Sequence, residues 1–307
     1  MSAQAESSQR ARALVRGGYD LHVHSGPDVL PRQANDVEVA RRFAQRGLAG
    51  FAIKSHYAST AARACLARWL VPEVDALGSI CLNASVGGLN PLAVELAARE
   101  GARIVWMPTV DAENESRHGG AAGANRPAWA ALQDELRTLG VAGAALRVVD
   151  GNGRVLPEVR DVLQVAARRQ MVLATGHLSR DEIFAVVEAA RRAGVQTIVV
   201  THPDFPTQRL SVEDQKALAR DGVMLERCFT TAHTGKIAWE VLADVIRTVG
   251  ARHSFLSSDL GQPHNPPIEE GLALMADRLL ALGVPEEEVV TMAVRTTVRI
   301  ARGEVGA

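Results

Sequence analysis

The sequence predicts a (β/α)8 barrel with an inserted hairpin near 144–156 and closing C-terminal helices. Three observations carry that prediction. Eight short runs rich in β-branched residues alternate with amphipathic segments of helical period along the 307 residues. Five of those runs finish in a histidine, lysine or aspartate, as expected when a parallel barrel gathers its strand ends at one mouth. No glycine-rich phosphate loop follows the first run, which disfavours an open doubly wound sheet.

The elements follow in order. Alternation over Tyr19-Asp-Leu-His-Val-His24 gives a first strand at 19–24. A helix at 36–47, a strand at 49–55, a helix at 58–70 and a strand at 78–84 come next. Asn90-Pro91 opens a helix at 91–100 with proline at its first position. The fourth strand is 102–108, followed by a polar, Gly/Ala-rich stretch at 109–126 that reads as a lid, then a helix at 127–139. Residues 146–156 read as a hairpin around Asp150-Gly-Asn-Gly153. Beyond it lie a helix at 157–169 and the fifth strand at 171–176. Ser179-Arg-Asp-Glu182 forms a capping box for a helix at 179–193. The sixth strand is 196–201, and Ser211-Val-Glu-Asp214 opens a helix at 211–221 in the same way. The last two strands, 223–228 and 253–258, flank a helix at 236–250, and helices at 267–282 and 285–302 close the barrel. Glycines 47, 101, 194, 222 and 250 stand at helix ends, where a left-handed stop suits them. No repeat or composition break divides the chain, so one domain over 1–307 is expected.

Composition narrows the function. The chain is 47% hydrophobic with a net charge of -1, so no basic face for nucleic acid is implied. Its three cysteines lie far apart and outside any CxxC, which points to a reducing cytoplasm rather than a disulfide framework. Residues 1–16 lack an apolar core for a secretory signal. No apolar run reaches the roughly 18 residues of a membrane span. The expected partners are a small-molecule substrate and further copies of the chain, with neither nucleic acid nor membrane.

His22 and His24 are the sharpest signal. Positions i and i+2 of a strand share a face, so the two imidazoles project together. His177 after the fifth strand, His202 after the sixth and Asp259 after the eighth join them at the mouth. Imidazole and carboxylate suit a divalent metal: zinc first, with manganese, iron or nickel as alternatives, as one ion or two. Asp259 can both bind metal and take a proton from the attacking water. Around this set, Lys54, His56, Arg126, Glu226, Arg227 and His264 are candidate substrate contacts. Asp28 reads as a ligand-orienting or plain turn carboxylate, Trp106, Met107 and Cys228 as packing, and His118 as a loop residue. His253 belongs at the opposite barrel end, and Asn83 ends the third strand.

In this pattern the chain resembles the amidohydrolase superfamily of metal-dependent hydrolases. An HxH on strand one, histidines on strands five and six and an aspartate on strand eight match in order as His22, His24, His177, His202 and Asp259. The segments Thr-Gly-His177-Leu-Ser, Val-Thr-His202-Pro and Ser-Ser-Asp259-Leu-Gly carry the likeness. The resemblance implies hydrolysis at carbon or phosphorus with metal-activated water. The favoured substrate is a small amide, perhaps cyclic, or a lactone, anionic because Lys54, Arg126 and Arg227 stand near the mouth. Phosphoester or phosphotriester hydrolysis, or decarboxylation, are the alternatives on the same site; a non-catalytic binding barrel is a further one.

The chain departs from the family pattern at one place. Binuclear members commonly carry a carboxylated lysine or a glutamate on strand four, and here that strand reads Ile-Val-Trp-Met-Pro-Thr109 with no lysine. Lys54, on strand two, has three readings: a carboxylated bridge between two metals, a cationic substrate anchor, or an ion pair with Asp28 or Glu226. The anchor is preferred.

Overall fold

A computed structural model describes residues 6–118, 127–208 and 210–304. Eight parallel strands run round a barrel in chain order. They are β1 (Tyr19–Val23), β2 (Gly50–Ile53), β3 (Asp75–Cys81), β4 (Ala102–Trp106), β5 (Val172–Ala174), β6 (Ile198–Val200), β7 (Met224–Cys228) and β8 (Ser254–Ser257). The seam between β8 and β1 closes just beyond the regular strands. The Asp259 amide donates to the His22 carbonyl at 2.9 Å, and the His24 amide donates to the Leu260 carbonyl at 2.8 Å.

Alternation along each strand divides the core in two. Inward side chains such as Leu21, Leu77, Ile104, Trp106, Val199 and Phe255 fill the barrel. Outward ones such as Val105, Leu173, Val200 and Leu225 pack on the helices through Val162, Ile183 and Leu218. Each fully buried aliphatic or aromatic side chain contributes roughly 1.5–3 kcal/mol. Both expected capping boxes form, at Ser179 and at Ser211, and Asn35 with Glu38 adds a third.

Strand β1 breaks this alternation. Its pairing with β2 slips between Asp20 and Val23, so three steps of β1 face two of β2. Such a bulge re-aims the residues that follow it. Leu21 belongs to the barrel interior, yet its neighbour His22 also points inward, with its ring 4.9 Å from that of Trp106. The extra residue therefore turns His22 and His24 toward the mouth.

Some elements differ from the sequence reading. β3 starts at Asp75, because Asp75, Ala76 and Leu77 already pair with Gly50, Phe51 and Ala52. The hairpin is reduced to a single antiparallel bridge between Val149 and Val155. Its turn holds, with Asp150 and Arg154 joined at 2.8 Å. The stretch after β4 opens with a short helix, Glu113–His118, and the rest of the expected lid lies outside the described residues. Helices Gln9–Val15 and Phe229–His233 were also not foreseen. The C-terminal helix contains a π turn at Thr291–Arg295. Among the described residues, no helix is long and apolar enough to cross a membrane.

Candidate metal centre

The strand ends bring five of the six expected ligand positions to one buried cluster and set the sixth, Lys54, against it. His22 and His24 have ring centroids 5.4 Å apart. His22 lies 6.1 Å from His202, and His202 lies 5.0 Å from His177. The Nε2 atoms of His22 and His24 are each 3.2 Å from Asp259 Oδ1. Asp259 is placed by a left-handed backbone, φ 54°, and His202 by φ 27°. Such conformations cost about 1–3 kcal/mol for a non-glycine residue and gather at functional sites. Two glycines give the backbone room. A Cβ on Gly261 would fall 1.7 Å from the His24 carbonyl oxygen, and one on Gly176 would fall 2.3 Å from that of Met107.

A second ring of side chains fixes the imidazoles. Glu226 Oε1 accepts from His22 Nδ1 at 3.0 Å and from the Ser257 hydroxyl at 2.9 Å. Its Oε2 accepts from the His202 amide at 3.1 Å. A carboxylate accepts only, so the His22 proton sits on Nδ1 and the Nε2 lone pair faces the cluster. Glu226, which the sequence allows as a support for a ligand histidine or as a substrate contact, is wholly buried behind His22. Asp20 Oδ1 accepts from the His22 amide at 3.3 Å and from the Ser258 amide at 2.9 Å. The Thr230 hydroxyl donates to Asp259 Oδ2 at 3.0 Å.

The His177 side of the cluster is held from the loop after β4. Glu115, a residue the sequence reading passed over, places Oε1 3.0 Å from His177 Nδ1. The Asn114 side chain donates to the carbonyls of His177 and Thr207, at 3.1 and 2.9 Å. His56 faces the mouth, with its ring 5.1 Å from His24 and Nδ1 2.9 Å from the Thr109 hydroxyl. Asn83 holds that hydroxyl at 2.6 Å. Glu115→Ala should therefore lower metal affinity by about 10–100-fold, the usual cost of losing an outer carboxylate. Glu115→Gln should cost less, since it keeps an oxygen beside His177 Nδ1. A chelator-competition titration checks both, and unchanged affinity in the alanine variant removes Glu115 from the site.

Electrostatics favour neutral imidazoles at His24, His56, His177 and His202 and ionised carboxylates at Glu226 and Asp259. Burial, reinforced by Arg32, lowers His24 to about 3, and burial with His177 and Lys54 lowers His202 to about 3. Burial also lowers His177, and His56 falls well below the usual range. Burial pushes the Glu226 and Asp259 carboxyls upward, but their interactions with His22, the neighbouring histidines and Lys54 outweigh it. Glu226 falls to about 2, and Asp259 lies well below the usual carboxylate range. Asp20 is raised by burial to about 7, its hydrogen bonds from Ser258 and His22 offsetting only part of the rise.

These residues fit a divalent ion. The donor atoms of His22, His24 and Asp259 all lie within 4.8 Å of one another. The Nδ1 atoms of His24 and His202 are buried without a hydrogen-bond partner, a cost of about 1–3 kcal/mol each unless the ring is otherwise engaged.

Other candidates fall elsewhere. Arg227 was expected at the mouth, but it follows Glu226 on the strand and so points outward. There it is fully buried, with its guanidinium on both Asp204 oxygens, at 2.9 and 2.8 Å, and on Gln215 at 2.6 Å. His264 is exposed on the loop after β8. Arg126 lies outside the described residues. Asp28 serves its turn, accepting from Arg32 at 2.8 Å and from the Val29 amide at 2.7 Å. It forms no pair with Lys54, whose Nζ sits 2.9 Å from His22 Nε2 and 4.3 Å from the centre of the Trp106 ring. Cys228 lies behind His22, 3.2 Å from the Ser257 hydroxyl, and burial holds its thiol well above the ordinary range.

The fold is shared with several solved hydrolases. An amidohydrolase from Pseudomonas aeruginosa superposes with a TM-score of 0.64 at 14% identity, over 97% of this chain and 99% of that one. The probable dipeptidase PvdM from the same organism gives 0.61 at 13% identity, over 97% and 98%. An organophosphorus hydrolase from Deinococcus radiodurans gives 0.55 at 16% identity, over 98% of each. No curated protein matches the chain in sequence. A family model does match, over residues 17–226, and by that match the chain belongs to a family of unknown function (DUF6282).

Proposed function

We propose that this protein is a metal-dependent hydrolase of amidohydrolase type, acting on a small amide or lactone. One observation carries the reading: His22 Nε2, His24 Nε2 and Asp259 Oδ1 converge at the barrel mouth, with the His22 tautomer fixed by Glu226. His22, His24 and Asp259 would hold one ion, and His177 and His202 stand across the cluster to complete that ion's shell or hold a second. When bound, a divalent ion supplies Lewis acidity and brings the pKa of water toward 7. The protein's own groups then do the proton work. Asp259 accepts a proton from the attacking water and returns it to the leaving group. Its Oδ1 is turned to the two imidazole Nε2 atoms and its Oδ2 accepts from Thr230. Lys54 and His56 lie beside the cluster, where they suit an anionic or carbonyl-bearing substrate. Zinc is the expected metal. The names of the amidohydrolase and dipeptidase that share the fold are consistent with amide substrates, and that of the organophosphorus hydrolase keeps phosphate esters in the screen. Exposed Leu66, Trp69 and Leu70 on one helix and Leu92 and Leu96 on the next fit the expected self-association.

Elemental analysis of the purified protein tests this reading, followed by a screen over amides, lactones and phosphate esters. The expected result is bound divalent metal and turnover that a chelator removes and metal restores. Turnover indifferent to chelation, or a protein that takes up no metal, would sink the proposal.

A further inference from the structure

Lys54 occupies an unusual place. It is wholly buried, and its amino group has one hydrogen-bond partner among the described residues, His22 Nε2 at 2.9 Å. No carboxylate lies within ion-pair reach of it among those residues, and the Trp106 ring lies beneath it at 4.3 Å. The partner atom is the same nitrogen that points at Asp259 and His24. An imidazole nitrogen offers a single in-plane lone pair. Glu226 holds the His22 proton on Nδ1, so Nε2 cannot be exchanged for the other nitrogen. A metal ion needs that lone pair at roughly 2.0–2.1 Å. The amino group and a metal thus claim one electron pair along one direction, and they cannot both have it.

We propose that Lys54 is a displaceable placeholder: its amino group holds His22 Nε2 in the metal-free site, and metal entry turns it off His22 and frees it as a donor beside the ion. This rests on the metal-site reading above. The displaced amino group gives up its one hydrogen-bond partner, His22. The turn frees a hydrogen-bond donor beside the ion, ready for a substrate carbonyl or carboxylate. Metal loading and substrate-site assembly become one step. Neither a bridging carbamate nor a static anchor has this property.

The test is zinc affinity, measured by competition with a chromophoric chelator, in wild type, Lys54→Met and Lys54→Gln. Methionine keeps the length and packs on Trp106 but does not donate, while the glutamine amide still does. Circular dichroism confirms that each variant is folded. The expected result is zinc binding tighter by about tenfold or more in Lys54→Met, the scale of one buried hydrogen bond to a charged group. Lys54→Gln should fall between it and wild type. Protein incubated with labelled bicarbonate and zinc should show no carbamate carbon by NMR. Equal or weaker zinc binding in folded Lys54→Met, or a carbamate signal, overturns the placeholder and leaves the metal site standing. Zinc binding by neither wild type nor variants would fell the metal-site reading and the placeholder together.

Discussion

His22→Ala should leave a folded barrel that no longer holds metal and no longer turns over. His22 contributes more than one donor atom to the cluster, since it is also the side-chain partner of Glu226 and Lys54. Its loss leaves the buried Lys54 amino group without its hydrogen-bond partner and takes one of three donors from Glu226. The expected penalty is about 1–3 kcal/mol of stability for the unpaired amino group, together with loss of stoichiometric metal. Elemental analysis reads the second effect and thermal unfolding the first. Wild-type metal content in this variant would show that the ion, if any, lies elsewhere.

Asp259→Asn should lower kcat by on the order of a hundredfold or more, the range for a positioned acid-base group. Its fold should stay close to wild type for two reasons. Asparagine tolerates the left-handed backbone at φ 54° better than most residues. Its amide oxygen can still accept from Thr230. The amide cannot take the proton from water, so the deficit belongs to chemistry rather than to folding. Steady-state kinetics on any substrate found by the screen, with metal content measured alongside, separates the two. Near-normal kcat at full metal content would take Asp259 out of the mechanism.

Much of this architecture could be read from the chain because the physics is local. β-branched runs and capping residues act over a few positions, and all eight strands lie within three residues of their expected starts. The five candidate ligand positions were legible because each lies in its strand or within three residues of its end. Other features depend on partners distant in sequence. The β1 bulge arises from its pairing with β2; alternation alone would have put His22 on the face opposite Leu21. Glu115 had no signal, because the helix that carries it is six residues long and its partner His177 is on another strand end. Arg227 could have been read correctly: Glu226 faces inward, so its neighbour must face out. β3 started early because Asp75 and Ala76 take their register from β2 rather than from their own weak strand preference.

The closure of the barrel also sets a timetable for its birth. The seam joins the His22 carbonyl and His24 amide to Asp259 and Leu260, residues separated by most of the chain. A growing chain emerges from the ribosome N-terminus first. His22 and His24 are therefore made long before the strand that closes over them and before Asp259, which meets their Nε2 atoms. Until β8 is synthesised, β1 has an open edge and the two imidazoles have no Asp259. The full donor set cannot form during synthesis of the first seven strands. Metal uptake at this centre should thus be a late event, coupled to the last strand pairing. A truncated chain ending before Ser254 should expose both the unpaired edge and an incomplete site.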